Sequence, residues 1–155
     1  MTSITFDLDS TLADTRHRHG LINNDGPTDW VAYSMACPGD DPIEWTVNLW
    51  RLFYSRGWAL SIVTGRNNRA RGLTMDWLTA HGIYPDMLLM ADDHHATMDH
   101  GEYKAMSVRE VAARLGQPVS LHIDDWAPVA PALAKIGVPC LIVTPPQTEG
   151  PASHV

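Results

Sequence analysis

Two carboxylates, Asp7 and Asp9, stand two residues apart in the stretch Thr5-Phe6-Asp7-Leu8-Asp9-Ser10-Thr11. The β-branched run Thr2-Ser3-Ile4-Thr5 before them reads as a strand. Alternate strand residues share a face, so the two acids meet at the strand's end, where like charges repel. A pair of this kind is kept when a cation neutralises it or when the two acids do different jobs. An acidic turn is the plainer alternative, since Asp and Ser both form turns. Thr64-Gly65-Arg66 and Asp124-Asp125 each close a further apolar run. Up to four carboxylates, a hydroxyl and the cations Arg18, Arg66 and Lys104 suit a hard metal ion with a phosphate. Magnesium takes oxygen ligands and is held by one or two carboxylates plus a phosphate. Arginine grips phosphate with parallel hydrogen bonds, and lysine acts as a point charge. One carboxylate beside such a phosphate can act as nucleophile. The other can protonate the leaving oxygen and then activate water. These residue types point to phosphoryl transfer onto an aspartate.

Positioning them requires strand ends that converge. Trp58–Val63, Met87–Ala91, Pro118–Ile123 and Pro139–Val143 are short apolar runs, the pattern of parallel strands covered on both faces. Helical patterns alternate with them. One opens at Asp41-Pro42, with Pro at its first position and a stripe of Trp45, Leu49, Leu52 and Phe53, and ends at Arg56-Gly57. The next is capped by Asn67 or Asn68 and carries Leu73, Met75, Trp77 and Leu78. Another runs from about Glu102 to Leu115 with Gly116 as its C-cap, and one from Ala127 to Ile136 is interrupted by Pro128 and Pro131. The alternation predicts an α/β fold with a five-stranded parallel sheet and helices on both faces. Ligands in such sheets bind outside the carboxyl ends of the strands, where Asp7, Asp9, Thr64, Asp124 and Asp125 all fall. Residues of about 15–42 are irregular and read as a small insertion over the first strand's end, with Thr28 or Asp29 capping a short helix through Met35. Residues 1–145 are expected to form one domain, and 146–155 a mobile tail.

Composition narrows the setting. The chain has 155 residues, 45% of them hydrophobic, and no apolar run of membrane-spanning length. Met1-Thr2-Ser3-Ile4 does not open a secretory signal. Cys37 and Cys140 lie far apart, as suits a reducing compartment. A cytoplasmic location away from membranes is the expectation. A net charge of −7 weighs against broad binding to nucleic acid but allows a small basic patch. Six tryptophans leave room for core anchors and for a homo-oligomer interface.

The same residues resemble the haloacid dehalogenase (HAD) superfamily. Its phosphatases carry D-x-D-x-[ST] after strand one, [ST] after strand two, Lys before strand four and paired acids at the end of strand four. Here these are Asp7-Leu8-Asp9-Ser10-Thr11, Thr64-Gly65-Arg66, Lys104 and Asp124-Asp125, in order across nearly the whole chain. The resemblance implies a Rossmann-like HAD fold with a small cap insertion and a phosphatase with Asp7 as nucleophile and Asp9 as acid/base. It implies that Thr64 and Lys104 hold the phosphate, assisted by Ser10, Thr11, Arg18, Gly65 and Arg66. Magnesium would bind Asp7, the Asp9 carbonyl and Asp124, with Asp125 as a ligand or its partner.

Within the superfamily the chain looks most like the 3′-phosphatase domain of phage polynucleotide kinases. The signs are Arg18 eleven residues after Asp7, Thr64-Gly65-Arg66, the small insertion, and Met90 leading a polar loop to Lys104. The implied substrate is a phosphorylated nucleic-acid end or nucleotide, and a separate kinase or ligase partner fits, since no kinase phosphate loop is present. That family has an acid four residues before its lysine, where this chain has His100. Its arginine-bearing loop carries His94 and His95 here. A nucleotidase or small-metabolite phosphatase is the alternative, and a non-catalytic phosphate-binding module the alternative of another class. Plainer readings stand beside several residues. Arg16-His17-Arg18-His19 fits a solvated turn, the loop histidines a solvated loop, Lys104 a helix surface, His122 a packed structural histidine, and Trp30 and Tyr33 either base stacking or packing of the insertion.

Overall fold

The computed structural model describes residues 2–147; the expected tail lies outside these residues from position 148 onward. In chain order the elements are β1 (Ser3–Phe6), β2 (Ala13–Asp14), α1 (Trp30–Met35), β3 (Asp41–Pro42), α2 (Glu44–Ser55), β4 (Ala59–Asn67), α3 (Arg71–Ala80), β5 (Met87–Ala91), α4 (His100–Leu115), β6 (Val119–Asp124), α5 (Ala130–Lys135) and β7 (Cys140–Ile142). Five strands pair in the order β5-β4-β1-β6-β7, all parallel, and β2 pairs antiparallel with β3 in a separate ribbon. β1 is central. Its register sets Phe6 beside Ile62 of β4 on one side and Ile123 of β6 on the other, which draws the three polar strand ends together.

The sheet is covered on both faces, because successive strand residues point opposite ways. Ile62 joins Ile4, Phe6, Trp50, Trp77 and Leu78 beneath α2 and α3. Its neighbour Val63 joins Tyr103, Val108, Val111 and Leu133 beneath α4 and α5. Local signals set several boundaries. Asp29 caps α1 by accepting from Val31 N and Ala32 N. Asn67 caps the turn that leads into α3, and Gly116 ends α4 at φ 65°, where a side chain would be strained.

Four expectations are corrected. Asp41-Pro42 does not open a helix; it forms β3 against Ala13–Asp14, and α2 starts at Glu44. The face of α2 differs as well. Thr46, Val47 and Trp50 are buried, with Leu49 and Phe53 packed at the core's edge, whereas Trp45 and Leu52 are about half exposed. α2 has large apolar residues on most of its circumference, so periodicity alone does not choose the docked side. Trp50 does, by meeting Phe6 of β1 at a ring separation of 5.0 Å. The helix expected over Ala127–Ile136 is a 3-10 turn, Ala127–Val129, followed by α5, as Pro128 and Pro131 restrict the backbone. α4 begins at His100, with Asp99 as its cap, two residues before the expected start.

Candidate active site

β1 delivers Asp7, and the chain turns immediately after it. Leu8 O accepts hydrogen bonds from the amides of Thr11, Leu12 and Ala13, and Ser10 takes the left-handed conformation at φ 63°, uncommon for a residue other than glycine. This tight turn folds Thr11 back so that its hydroxyl lies 3.1 Å from Asp7 Oδ2 and 3.2 Å from Asp125 Oδ1. Asp124 and Asp125 arrive from β6. α4 sends in Lys104, whose side chain is completely buried. Its Nζ is 2.5 Å from Asp7 Oδ1, 3.1 Å from Asp124 Oδ2 and 2.8 Å from the carbonyl of Val63. The helix-surface alternative for Lys104 therefore falls.

Asp7, Asp124 and Asp125 bring one carboxylate oxygen each to within 4.8 Å of the others, and no other cluster of this kind exists among the described residues. Three carboxylates face one ammonium, which leaves two negative charges uncompensated. An all-oxygen site with that surplus fits a hard divalent cation. Burial pushes the Asp7 carboxyl well up, Asp124 and Asp125 push the same way, and Lys104 opposes them. Burial and Asp124 raise Asp125. Burial also works against the charge on Asp124, but Lys104 and the hydrogen bond from His122 outweigh it and hold that carboxyl well below the usual carboxylate range. Burial disfavours the Lys104 ammonium too, yet Asp7 and Asp124 keep it charged.

His122 is fully buried, as a packed histidine would be, but it also serves the site. Nε2 lies 2.9 Å from Asp124 Oδ2, and Nδ1 lies 2.8 Å from Thr5 Oγ1. A carboxylate only accepts, so Nε2 carries the proton, and Nδ1 accepts from the threonine hydroxyl. The amide of Trp126 donates to the other oxygen of Asp124 at 2.9 Å. Asp124 is thus aimed from both sides.

Asp9 faces a different environment. Arg18 Nη2 donates to Asp9 Oδ1 at 2.7 Å, and Arg66 reaches the same oxygen through Nε at 3.2 Å and through Nη2. Burial raises the Asp9 carboxyl, but the two guanidiniums outweigh it and hold it low. Both arginines are buried and most of their N–H groups are committed. Arg18 also donates to the carbonyl of Tyr33, over whose ring its guanidinium sits at 4.4 Å, and Arg66 donates to Thr74 Oγ1. Both meet Asp40 of the insertion, a buried acid that the sequence did not single out. No local pattern marks it, because its partners lie 22 and 26 residues away.

The sequence alternation called for strands whose ends meet, and the sheet supplies them. No protein-family model and no curated protein sequence matches this chain. Solved structures do. A chain of a Pnkp1/Rnl/Hen1 complex superposes with a TM-score of 0.73 at 22% identity, over 92% of this chain and 45% of that one. D,D-heptose 1,7-bisphosphate phosphatase from B. bronchiseptica, complexed with magnesium and phosphate, gives 0.62 at 17% identity, over 92% of this chain and 80% of that one. A putative HAD-like phosphatase from Mesorhizobium loti gives 0.63 at 17% identity, over 89% and 69%. The chain has the HAD fold. It spans less than half the length of the matching chain of the Pnkp1/Rnl/Hen1 complex.

On this HAD framework, Thr64 and Gly65 lie in β4 beside the cluster. Thr64 Oγ1 accepts from the amide of Arg66 at 3.1 Å, and Tyr103 Oη donates to the Thr64 carbonyl at 2.8 Å. Gly65 packs against His100, with only 3.1 Å between the ring and the place a Cβ would occupy. Ser10 Oγ is turned towards Thr15, 3.1 Å from its hydroxyl. The polar loop of 92–101 is tied to the protein surface. Asp92 and His95 cap each other's turn, and Asp93 pairs with Arg69.

Proposed function

We propose that this chain is a magnesium-dependent phosphomonoesterase that works through an aspartyl-phosphate. The observation that carries the reading is the clustering of the Asp7, Asp124 and Asp125 carboxylates beside the buried Lys104, whose ammonium pairs with the first two. Asp7 is the nucleophile. As it bonds to phosphorus, the ester P–O bond breaks, and Asp9, which must first take up a proton against the pull of Arg18 and Arg66, gives that proton to the leaving oxygen. Asp9 then takes a proton from the water that hydrolyses the acyl-phosphate. Lys104, Thr64, Gly65, Ser10 and Thr11 hold the phosphate oxygens, and Arg18 and Arg66 act at the Asp9 side. Asp7, Asp124, Asp125 and the Asp9 carbonyl hold magnesium, which when bound neutralises the carboxylates and the phosphate.

The favoured substrate is a 3′-phosphorylated polynucleotide or nucleotide end. The sequence resemblance and the likeness to a chain of the Pnkp1/Rnl/Hen1 complex support it. The matching chain belongs to an RNA repair complex of three proteins, Pnkp1, Rnl and Hen1, which supports a separate kinase or ligase partner here. The likeness to a heptose bisphosphate phosphatase, over 80% of that chain, supports a small-metabolite phosphatase as second reading. One domain over 1–145 and a cytoplasmic setting accord with the continuous sheet and the free thiols of Cys37 and Cys140. Among the described residues no helix is long and apolar enough to cross a membrane.

The test is phosphate release, with and without magnesium, from a 3′-phosphorylated oligonucleotide, mononucleotides, sugar phosphates and an aryl phosphate. Asp7→Asn is expected to bring all release to background. Undiminished release in that variant removes Asp7 as nucleophile, and a strong preference for sugar phosphates selects the second reading.

A further inference from the structure

Asp40 sits between the 3-10 turn Cys37–Gly39 and β3, and its carboxylate is fully buried. Oδ1 meets Arg18 Nε at 2.8 Å and His17 Nε2 at 2.8 Å, and Oδ2 meets Arg18 Nη2 at 2.7 Å and Arg66 Nη2 at 3.1 Å. The Asp40 carbonyl accepts from the indole N–H of Trp77 in α3 at 2.7 Å. Gly39 lets His17 lie flush on this turn, since a Cβ there would be 2.8 Å from the imidazole.

The bidentate grip on Arg18 fixes the plane of its guanidinium. The same contact with Arg66 brings the second guanidinium to the first. Both then converge on one atom, Asp9 Oδ1. All the described hydrogen bonds to the Asp9 side chain end on that oxygen. Oδ2 receives none of them, and the side chain is 25% exposed. One oxygen is tied down, and the other keeps its lone pairs for a proton. Two carboxylates and two guanidiniums balance in charge, so the brace can be buried without a surplus.

We propose that Asp40 is a positioning residue. It acts through Arg18 and Arg66 to hold the Asp9 carboxylate with Oδ2 presented to the substrate's leaving oxygen, and so makes the insertion a brace for proton transfer. The proposal rests on the acid/base reading of Asp9 given above.

The experiment compares Asp40→Asn with wild type on the best alkyl phosphate of the substrate panel, whose alkoxide must be protonated to leave, and on p-nitrophenyl phosphate, whose phenolate leaves unaided. The quantity compared is kcat/KM, which reports steps up to loss of the leaving group and not the later hydrolysis of the aspartyl-phosphate that Asp9 also serves. It is expected to fall about 10- to 100-fold for the alkyl ester, through kcat rather than KM, and by less than about threefold for the aryl ester. Asp40→Asn added to Asp9→Asn is expected to cost nothing further on the alkyl ester. Equal losses of kcat/KM on both esters, or a rise in KM with kcat intact, overturns the proposal. Thermal unfolding reports whether the variant folds. If it does not, His17→Ala decides, since that partner of Asp40 is 41% exposed. An alkyl-selective loss in kcat/KM of about two- to threefold supports the brace, and an unchanged ratio of the two kcat/KM values overturns it. A wild-type protein inactive on both esters counts against the phosphatase reading itself. An active wild type with an unselective Asp40→Asn counts against Asp40 alone.

Discussion

Each acid of the site leans on a different kind of partner. Asp7 has an ammonium, Asp124 an imidazole and an ammonium, and Asp9 two guanidiniums. The partner decides what the carboxylate is free to do. His122 donates to Asp124, so removing the donor lets that carboxylate swing. His122→Leu is expected to weaken magnesium binding about tenfold, whereas His122→Gln keeps a donor and stays within about threefold. Calorimetry of the metal-free protein measures both, and an unchanged affinity in His122→Leu would detach this residue from metal binding. Acid stability follows from the same contacts. Asp9 and Asp124 are held below the ordinary carboxylate value of 3.8. Their contribution is complete above that value and is lost as pH falls through the lower folded values. Asp7, raised by burial, works in the opposite sense, so Asp7→Asn is the cleaner protein for the measurement. Its melting temperature in metal-free buffer is expected to drop steeply below about pH 4; a flat profile between pH 5 and 3 would contradict the pairing.

At the scale of elements, the strands, the capped helices and the polar strand ends were legible because local patterns encode them. Val, Ile and Leu runs mark strands, Asp29 and Gly116 mark helix ends, and the structure has them there. The start of α2 was not legible. Asp41-Pro42 has the composition of a helix opening, but Ala13–Asp14 claims it for a two-residue ribbon from far upstream. The docked face of α2 was misread for a related reason. Trp45 and Trp50 are equally apolar, and only the sheet selects between them. Trp50→Ala is expected to cost about 3–5 kcal/mol in urea denaturation, and Trp45→Ala less than about 1 kcal/mol. Similar losses at the two positions would argue against the docking of α2 through Trp50.

For the molecule as a whole, the sheet order matters most. With β1 between β4 and β6, the acids of residues 7 and 124–125 become neighbours, and α4 drives Lys104 between them. The resulting charge surplus is a global liability that a cation relieves. Magnesium is expected to raise the melting temperature of the wild-type protein, and excess chelator to lower it again. The shift should shrink in Asp125→Asn, and an equal shift there would remove Asp125 from the cation's ligands. By itself the sequence determined the chemistry available and its order along the chain: acids after the first and fourth long strands, a threonine after the second, a lysine before the fourth, and an α/β alternation to carry them. These are local facts of residue type and periodicity. Tertiary structure alone decided the pairings: Lys104 on Asp7 across 97 residues, Arg66 on Asp9 across 57, His122 on Asp124, and Asp40 beneath both arginines. A salt bridge between distant residues leaves no period in a sequence. It exists only once strand order and helix docking have brought the groups within reach and burial has removed the water that would otherwise take the partner's place.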